Sequence, residues 1–309
     1  INSSDAISIE PGSYRYLTFP HELGHAVGLK HPHNIVNGYP RFPGVAADEA
    51  GEADGGYANL NSTPWLVMTY NDVTASNGLS SKQRISSGYL TTLGAFDIAT
   101  AQYLYGPNRD ANTEDNVYIL SDQLNGYQCI WDNGGDDTIK ADSSRQGVEI
   151  DLRNATLKDK EGGGGFTSVF SPSSPFSSYD FKGYTIAYNS TGECIIENAI
   201  GGTEDDVLTG NSSSNKLEGG GGDDVLTGGE GVDQLWGGSG MDTFKITEGA
   251  GHDVVNDFVV GVDRIYNAQE LSVNILSFGE DAQLFHGDDL LAVIKGGVGE
   301  LTQSGFYIS

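Results

Sequence analysis

Three histidines and a glutamate stand within the eleven-residue stretch HELGHAVGLKH (21–31). His21 and His25 are four residues apart, so a helix would place both imidazoles on one face, one turn apart. Gly28 can adopt a positive φ and end that helix, so that the chain turns back and brings His31 to the same point. Three neutral imidazoles around zinc leave a fourth position open for water, as in catalytic rather than structural zinc sites.

Glu22 adjoins the predicted ligands and can take a proton from a water molecule in the open position. The alternative is an ordinary helix that carries histidines by chance. The motif fixes five positions with specific residue types, which favours the zinc site. Pro20 directly precedes His21, so we expect the helix either to begin near Thr18, with proline in its first turn, or to be kinked.

The pattern HExxHxxGxxH resembles the zinc motif of the metzincin metalloproteases, and WLVMTYND (65–72) resembles the Met-turn that follows it. The resemblance to the serralysin branch implies that Met68 lies beneath the zinc ligands. It also implies that Tyr70 is a further zinc ligand, which moves off the metal and donates a hydrogen bond to the oxyanion. A core methionine and a surface tyrosine are the alternatives. His33 lies outside the motif and is predicted to be a solvated loop residue.

A second helix is predicted over residues 93–107, where Gly106 and Pro107 stop an apolar pattern of helical spacing. Its sequence FDIATAQYLYG (96–106) resembles the helix that closes the serralysin protease domain. Between the two predicted helices, residues 34–64 are rich in Gly, Pro, Asn and Asp and indicate a loop.

The charge of the chain excludes some partners. Its 309 residues suggest about two domains, and 43 Asp and Glu against 16 Lys and Arg give a net charge of −27. Nucleic acids and anionic membrane surfaces are therefore not expected as partners. No apolar run approaches the ~20 residues that would span a membrane. With 37% hydrophobic residues the chain can pack a core, so the acidic residues point to bound hard cations rather than to disorder.

Glycine and aspartate become dense between residues 201 and 245, where the sequence repeats every nine residues. The rows are GGTEDDVLT (201), GNSSSNKLE (210), GGGGDDVLT (219), GGEGVDQLW (228) and GGSGMDTFK (237). They match GGxGxDxUx, the calcium-binding nonapeptide of RTX proteins, which forms a solenoid. The glycines let each turn point its carbonyls inward, and the aspartate adds a carboxylate, as Ca²⁺ prefers.

The apolar eighth residue of each row is predicted to face the interior of a parallel β-roll. The resemblance implies that the calcium ligands lie at Gly202, Glu204, Asp206, Gly219, Gly221, Asp224, Gly228, Gly231, Asp233, Gly237, Gly240 and Asp242. Row 210 has Asn215 in place of aspartate, so its site is expected to be weak or empty. Glu204 replaces a glycine, which predicts a more strained turn. A flexible glycine-rich linker is the alternative, against which five rows in phase argue.

Further calcium ligands are predicted ahead of the roll. WDNGGDDT (131–138) resembles a serralysin calcium loop with ligands at Asp132, Gly134 and Asp137. IIENAIGG (195–202) resembles another segment, in which Glu197 is the carboxylate ligand, and NTEDN (112–116) aligns with one that supplies mostly carbonyls. Acidic surface turns are the alternative for all three.

Two features stay open or are read from composition alone. Cys129 and Cys194 lie in short apolar runs, and they can form a disulfide in an oxidising compartment or be two buried small side chains.

The segment GGGGFTSVFSPSSPFSSYD (162–180) is of low complexity and is predicted to be a flexible surface loop.

The expected fold class is an α+β zincin-like protease portion followed by an all-β parallel β-roll and β-sandwich domain. We expect a zinc protease domain over 1–107, incomplete at its N-terminus, and an RTX domain over 108–309. Within the latter we expect a β-sandwich lead-in (108–200), the roll (201–245) and a C-terminal β cap (246–309).

The resemblance implies a secreted, monomeric zinc endopeptidase, stabilised by calcium, that acts on protein substrates. LTQSGFYIS at the C-terminus resembles the signal read by type I secretion machinery, although Gly305 replaces an acid often seen there. Serralysins carry a larger N-terminal part with the sheet that binds substrate, so we expect a longer protein or a companion N-terminal fragment. The alternative function is a non-catalytic calcium-binding module that carries a protease remnant.

Overall fold

A computed structural model describes residues 11, 13–34, 45, 65–69, 89–121, 123–141, 146–158, 162–170, 183–188, 194–267, 269, 271–296, 301–304 and 307–308. Within these residues, two helices, α1 (Tyr14–Ala26) and α2 (Ala95–Tyr105), precede nineteen strands. The strands are β1 (Val117–Leu120), β2 (Tyr127–Ile130), β3 (Thr138–Ala141), β4 (Val148–Asp151), β5 (Ser168–Phe170), β6 (Gly183–Ile186), β7 (Asn198–Ile200), β8 (Val207–Thr209), β9 (Lys216–Gly221), β10 (Val225–Thr227), β11 (Gly231–Ser239), β12 (Thr243–Ile246), β13 (Gly251–Val255), β14 (Arg264–Asn267), β15 (Asn274–Phe278), β16 (Asp281–His286), β17 (Asp289–Ile294), β18 (Gln303–Ser304) and β19 (Tyr307–Ile308).

Helix α1 begins earlier than the sequence predicted. The hydroxyl of Ser13 accepts a hydrogen bond from the backbone N–H of Tyr16 (3.2 Å) and caps the helix, so Pro20 lies inside α1 rather than in its first turn. The expectation of a start near Thr18 is therefore wrong. The helix ends at Ala26, and Gly28 follows with φ +95°, in agreement with the predicted turn.

Helix α2 lies within the predicted range 93–107. Gly94 is its N-cap, and the side chain of Asp97 accepts a hydrogen bond from the Gly94 N–H (3.0 Å), which satisfies a donor that the first turn leaves open. Gly106 ends the helix with φ +84°. Most of the predicted loop 34–64 lies outside the described residues.

The strands form two sheets of parallel core strands. Their orders are β1-β3-β7-β9-β11-β13-β17-β16-β15 and β18-β19-β14-β12-β10-β8-β4-β5-β6-β2. From β7 to β14 successive strands alternate between the sheets, so that two nine-residue rows complete one coil. This is the parallel β-roll that the repeats predict.

Apolar residues from successive coils stack between the sheets. In one sheet Leu208, Leu226 and Phe244 are in register, and in the other Leu217 pairs with Leu235. All five are the eighth residues of their rows and are at most 1% exposed. Their burial provides the hydrophobic contribution to the stability of the roll.

The lead-in extends the same two sheets. The segment predicted as a flexible surface loop is ordered over 162–170: Gly162 to Gly165 are buried, and β5 pairs with β4 and β6. The reason is close packing, because a Cβ on Gly164 would lie only 2.7 Å from the Trp65 ring. Residues 171–180 of that segment lie outside the described residues.

The helical portion is fixed to the ten-stranded sheet through β2. The N–H of Thr91 donates to the Tyr127 carbonyl (2.8 Å), and the N–H of Tyr127 donates to the Tyr89 carbonyl (3.1 Å). The Tyr127 ring packs in one cluster with Leu17 of α1 and with Met68. The zinc motif therefore sits on a shared core with the β domain.

Cys129 and Cys194 are not joined by a disulfide, and both are buried. Burial raises the pKa of each thiol to about 12. Of the two alternatives, the structure shows two buried thiols, protonated at neutral pH.

Candidate metal centres

The three histidines of the motif converge on one point. The Nε2 atoms of His21 and His25 each lie 3.0 Å from Nε2 of His31. One ligand atom from each ring fits within a mutual distance of 4.8 Å. Tetrahedral Zn–N bonds of about 2.0–2.1 Å place two nitrogens about 3.3 Å apart, so the spacing suits a zinc ion.

Backbone carbonyls fix the orientation of two rings. Nδ1 of His21 donates to the Val67 carbonyl (2.8 Å), and Nδ1 of His25 donates to the Leu29 carbonyl (3.0 Å). A carbonyl can only accept, so Nδ1 carries the proton in both rings and Nε2 offers its lone pair to the centre. Two such lone pairs converge on Nε2 of His31, and this nitrogen donor set fits zinc.

His31 is held in the neutral form that a ligand requires. Burial, followed by the neighbouring His25 and His21, lowers its pKa to about 4. His33 also contributes to this shift, and its ring stacks on His31 with centroids 5.2 Å apart. His33 is half-buried against the centre, so its prediction as a solvated loop residue is wrong.

The segment 65–69 lies beneath the rings, as the resemblance implied for Met68. That side chain is 1% exposed, and a Cβ on Gly24 of α1 would lie 2.5 Å from its sulfur. Gly24 thus lets α1 approach the methionine closely. Glu22 is exposed on the same helix, one residue from His21. Tyr70 lies outside the described residues, so its roles as zinc ligand and hydrogen-bond donor stay predictions.

The predicted calcium ligands of the roll form a ladder of buried carboxylates. Oδ1 of Asp224 accepts from the N–H of Asp206 (2.8 Å), and Oδ1 of Asp242 accepts from the N–H of Asp224 (3.0 Å). Each is at most 1% exposed. The second oxygen, Oδ2, of Asp224 and of Asp242 is buried without a hydrogen-bond partner. Buried oxygens of this kind fit a cation in the turns.

The first glycine of each row faces that second oxygen. A Cβ on Gly219 would overlap Oδ2 of Asp224, and a Cβ on Gly237 would overlap Oδ2 of Asp242. Gly228 stands in the same relation to Asp233. Glycine is required here because the turn closes over its own carboxylate.

Glu204 does not strain its turn as predicted. Among the described residues other than glycine, only Asn112 and Leu157 have a positive φ, so Glu204 adopts an ordinary backbone conformation. The glycines of the later rows do use positive φ, as at Gly231 (+109°) and Gly240 (+138°).

A second ladder runs through the other set of turns. Asp137 and Asp132 are fully buried in the lead-in loop, where Gly134 has φ +129°, and Oε2 of Glu197 accepts from the Asp137 N–H (2.9 Å). Asn215 follows, and its N–H donates to Oδ1 of Asp233 (2.7 Å). The structure thus places the acids predicted ahead of the roll in the same stack of turns as the acids of the roll.

Electrostatics shows that these carboxylates lack a counter-charge. Burial, with repulsion from Asp206 and Asp242, raises the pKa of Asp224 to about 8. Burial raises that of Asp242 to about 6, and burial and nearby acids raise that of Asp137 to about 7. The pKa values of Asp206, Asp233 and Glu197 are also raised, first by burial. A bound cation would restore the ionised form.

Sequence reasoning missed two acids that continue the ladders. Oδ1 of Asp263 accepts from the Asp242 N–H (3.0 Å), and Asp253 lies beside Asp233 and next to Gly228. Burial and the neighbouring Asp233 raise the pKa of Asp253 to about 8. The spacing G-x-G-x-D-x-V over 249–255 was the available signal, displaced from the nine-residue phase by a two-residue insertion.

Comparison with known proteins supports both centres. The model of the RTX calcium-binding nonapeptide repeat matches residues 196–224 and 209–244. A serralysin of Photorhabdus luminescens is 34% identical over 88% of this chain and 51% of its own length. A serralysin of Proteus mirabilis is 32% identical over 67% of this chain and 37% of its own length. Metalloprotease AprA of Pseudomonas entomophila is 32% identical over 70% of this chain and 41% of its own length.

The chain is similar to serralysins over most of its length. Its rows are RTX repeats, which bind calcium, and its histidine triad has the donor set of a zinc site. The chain spans about half or less of the length of the curated relatives it matches. None of the described helices is both long and apolar enough to cross a membrane.

Proposed function

We propose that this chain carries the zinc-binding helix and the calcium-binding roll of a secreted zinc endopeptidase that hydrolyses protein peptide bonds. The observation that carries the proposal is the convergence of His21, His25 and His31 within 4.8 Å, with the Nδ1 atoms of His21 and His25 bound to carbonyls. Similarity to serralysins over most of the chain supports it.

In this proposal the three imidazoles hold zinc through Nε2, and Tyr70 is a fourth protein ligand. Zinc supplies Lewis acidity, which lowers the pKa of water and polarises a carbonyl. Glu22, exposed beside His21, takes the proton of the attacking water and returns it to the leaving amine. Tyr70 donates a hydrogen bond to the developing oxyanion.

The calcium part of the proposal assigns ligands along both ladders. The carboxylates are Asp132, Asp137, Glu197, Asp206, Asp224, Asp233 and Asp242, together with Asp253 and Asp263, which the structure adds. Carbonyls of the turns complete each site, and Gly134, Gly202, Glu204, Gly219, Gly221, Gly228, Gly231, Gly237 and Gly240 supply them. Since the ions neutralise buried acids, calcium binding contributes to the folding free energy.

The domain boundaries, export by type I secretion machinery and the companion N-terminal fragment are part of the same proposal. Serralysin and RTX proteins are typically secreted. Protease homology implies protein substrates.

A second candidate function is a non-catalytic RTX module with a protease remnant. It is favoured by one observation, that the calcium-binding nonapeptide model matches residues 196–224 and 209–244, apart from the zinc motif. Retention of Glu22 between two zinc ligands opposes it, because a module that only binds calcium does not need that base.

Casein digestion separates the two candidates. The zinc-replete chain and its Glu22→Gln variant are compared, with zinc content measured in both. The protease predicts one zinc per chain in each, with activity falling ~10²- to 10⁴-fold in the variant. Equal activity in both proteins contradicts the role of Glu22. Zinc in both with activity in neither, also when the companion N-terminal fragment is present, supports the module.

A further inference from the structure

We infer that Asp97 is a positioning residue for the zinc centre: it fixes the segment 65–69, and through that segment the ring of His21. The inference rests on the proposed zinc centre and deepens it. Asp97 belongs to α2 and is not one of the motif residues, so neither the spacing of the histidines nor the repeat pattern points to it.

The carboxylate of Asp97 joins two segments of the chain. Its Oδ2 accepts from the N–H of Gly94 (3.0 Å) and from the N–H of Val67 (2.7 Å). The first bond belongs to the cap of α2, whereas the second reaches a segment 30 residues away. A helix cap alone explains only the first bond. The bond to Val67 ties the start of α2 to the segment beneath the zinc ligands.

The same segment holds His21 from its other side. The Val67 carbonyl accepts from Nδ1 of His21 at 2.8 Å. The N–H of Met68, which shares a peptide group with that carbonyl, also stabilises the ionised Asp97 carboxylate. A charge close to the N–H end of a peptide polarises the carbonyl at its other end. A negative charge at the N–H end therefore makes the carbonyl a better acceptor for His21.

The Asp97 carboxylate is buried and cannot exchange its protein hydrogen bonds for bonds to water. Asp97 is 1% exposed, and burial raises its pKa to about 7 against the effect of the hydrogen bonds from Val67, Gly94 and Met68. A Cβ on Gly94 would overlap the Trp65 carbonyl, so α2 approaches the segment as closely as backbone permits. Burying a carboxyl group costs stability, which a purely structural contact could avoid with an apolar residue.

Residues that orient a metal-binding histidine change metal affinity by about 10- to 100-fold when removed. In most such sites a carboxylate contacts the histidine directly. Here the backbone of 67–68 stands between the two. Loss of the Asp97 charge should therefore loosen the His21 ring while leaving all three histidines in place.

The test uses the full chain with Asp97→Asn, which keeps the size of the side chain and removes its charge. Asp288→Asn is the matched control, since Asp288 is exposed in the turn between β16 and β17. Zinc dissociation constants are measured by competition with a chromophoric chelator, and kcat and KM are measured on a peptide substrate. We expect zinc binding about 10-fold weaker, a lower kcat and an unchanged KM for Asp97→Asn, and no change for Asp288→Asn.

The outcomes separate the inference from the proposed function. If the wild type binds no zinc, the proposed function fails. If the wild type binds zinc and Asp97→Asn binds it equally well with equal kcat, the inference fails. Should Asp97→Asn not fold, as judged by circular dichroism, Asp97→Glu replaces it. Glu keeps the charge but moves it by one methylene, so weaker zinc binding is again expected and unaltered binding overturns the inference.

Discussion

The side-chain amide of Asn215 donates a hydrogen bond to the carbonyl oxygen of Glu197, 3.0 Å away. In the other described turns of this kind a carboxylate occupies that place. The neighbouring Asn211 amide donates to the carbonyls of Leu152 (3.2 Å) and Ile196 (2.8 Å). The amide N–H groups of Asn215 and Asn211 thus bind carbonyl oxygens of this turn that would otherwise be available to a cation. These contacts support the expectation that the site of row 210 is weak or empty.

Asn215→Asp should convert this turn into a calcium site. The carboxylate would lie between Glu197 and Asp233 and would face carbonyls that have lost their donor. We expect one additional calcium per chain in equilibrium dialysis. We also expect a lower thermal midpoint than wild type when calcium is limiting, because a further acid joins the ladder.

Asn274→Asp is the control for that variant, because Asn274 is exposed at the start of β15. It should bind the wild-type number of ions. An unchanged calcium count for Asn215→Asp would show that the amide does not stand in for a cation.

Removal of calcium should unfold the roll. Its buried acids repel one another without ions, and the folded state loses the free energy that calcium binding contributes. We expect the far-UV circular dichroism of the chelated protein to lose its β signal and to regain it at ~10⁻⁴ to 10⁻³ M calcium. A full β signal in excess chelator would refute this expectation.

The calcium-free protein should become less stable as pH rises. The folded pKa values of Asp242 and Asp224, about 6 and about 8, exceed the usual 3.8 of an unfolded aspartate. Between pH 4 and pH 8 the folded state therefore binds more protons than the unfolded state, so the free energy of unfolding falls with rising pH.

Thermal unfolding of metal-stripped protein across that range measures the effect. Without calcium the midpoint should fall as pH rises from 4.5, until near neutral pH the stripped roll is unfolded before heating, and the fall should disappear in millimolar calcium. A midpoint that rises with pH in the stripped protein would contradict the assignment of buried, uncompensated acids.

Gly219→Ala should weaken calcium binding. The new methyl group would overlap Oδ2 of Asp224 and lie 2.6 Å from the Gly237 carbonyl, so both oxygens must move. We expect a higher calcium concentration at the midpoint of folding, read by circular dichroism. Gly249→Ala is the matched control, because no atom lies within 4 Å of its added methyl group. Equal midpoints for the two variants would show that the turn tolerates the shift.

Gly24→Ala tests the packing beneath the zinc helix. Alanine favours a helix over glycine by about 1 kcal/mol, so the substitution alone should stabilise α1. The methyl group would lie 2.5 Å from the Met68 sulfur, however, and should displace that side chain. We expect weaker zinc binding by chelator competition, partly restored by a second substitution, Met68→Ala. Tighter zinc binding in Gly24→Ala would mean that helix propensity outweighs the contact.

Much of this molecule could be predicted because its chemistry is local. The i, i+4 histidines, the glycine that ends α1 and the nine-residue rows each specify structure within one or two turns of chain. The alternation of strands between two sheets follows directly from the period. Correct placement of the three rings required only Gly28 and a helix that ends at Ala26.

The rest depends on contacts between distant segments. Asp97 and Val67 are 30 residues apart, and nothing in either stretch indicates their bond. The run of glycines from Gly162 to Gly165 is typical of a loop, yet the ring of Trp65 packs against Gly164. Asp253 was not predicted as a calcium ligand because a two-residue insertion places it outside the nine-residue phase of the repeats. Of the two alternatives for α1, the start near Thr18 is wrong, because Ser13 caps the helix and Pro20 lies inside it.

The buried ladder of the roll has a direction. The N–H of Asp206 depends on Asp224, that of Asp224 on Asp242, and that of Asp242 on Asp263. Each coil therefore leaves a buried donor that the next coil along the chain must accept. Shortening the protein from its C-terminal end would leave the donor of the last remaining coil without its acceptor, whereas trimming the opposite end removes donors together with their coil. The buried N–H groups of this ladder are therefore satisfied by coils on their C-terminal side, and the last coil is the one on which the others depend.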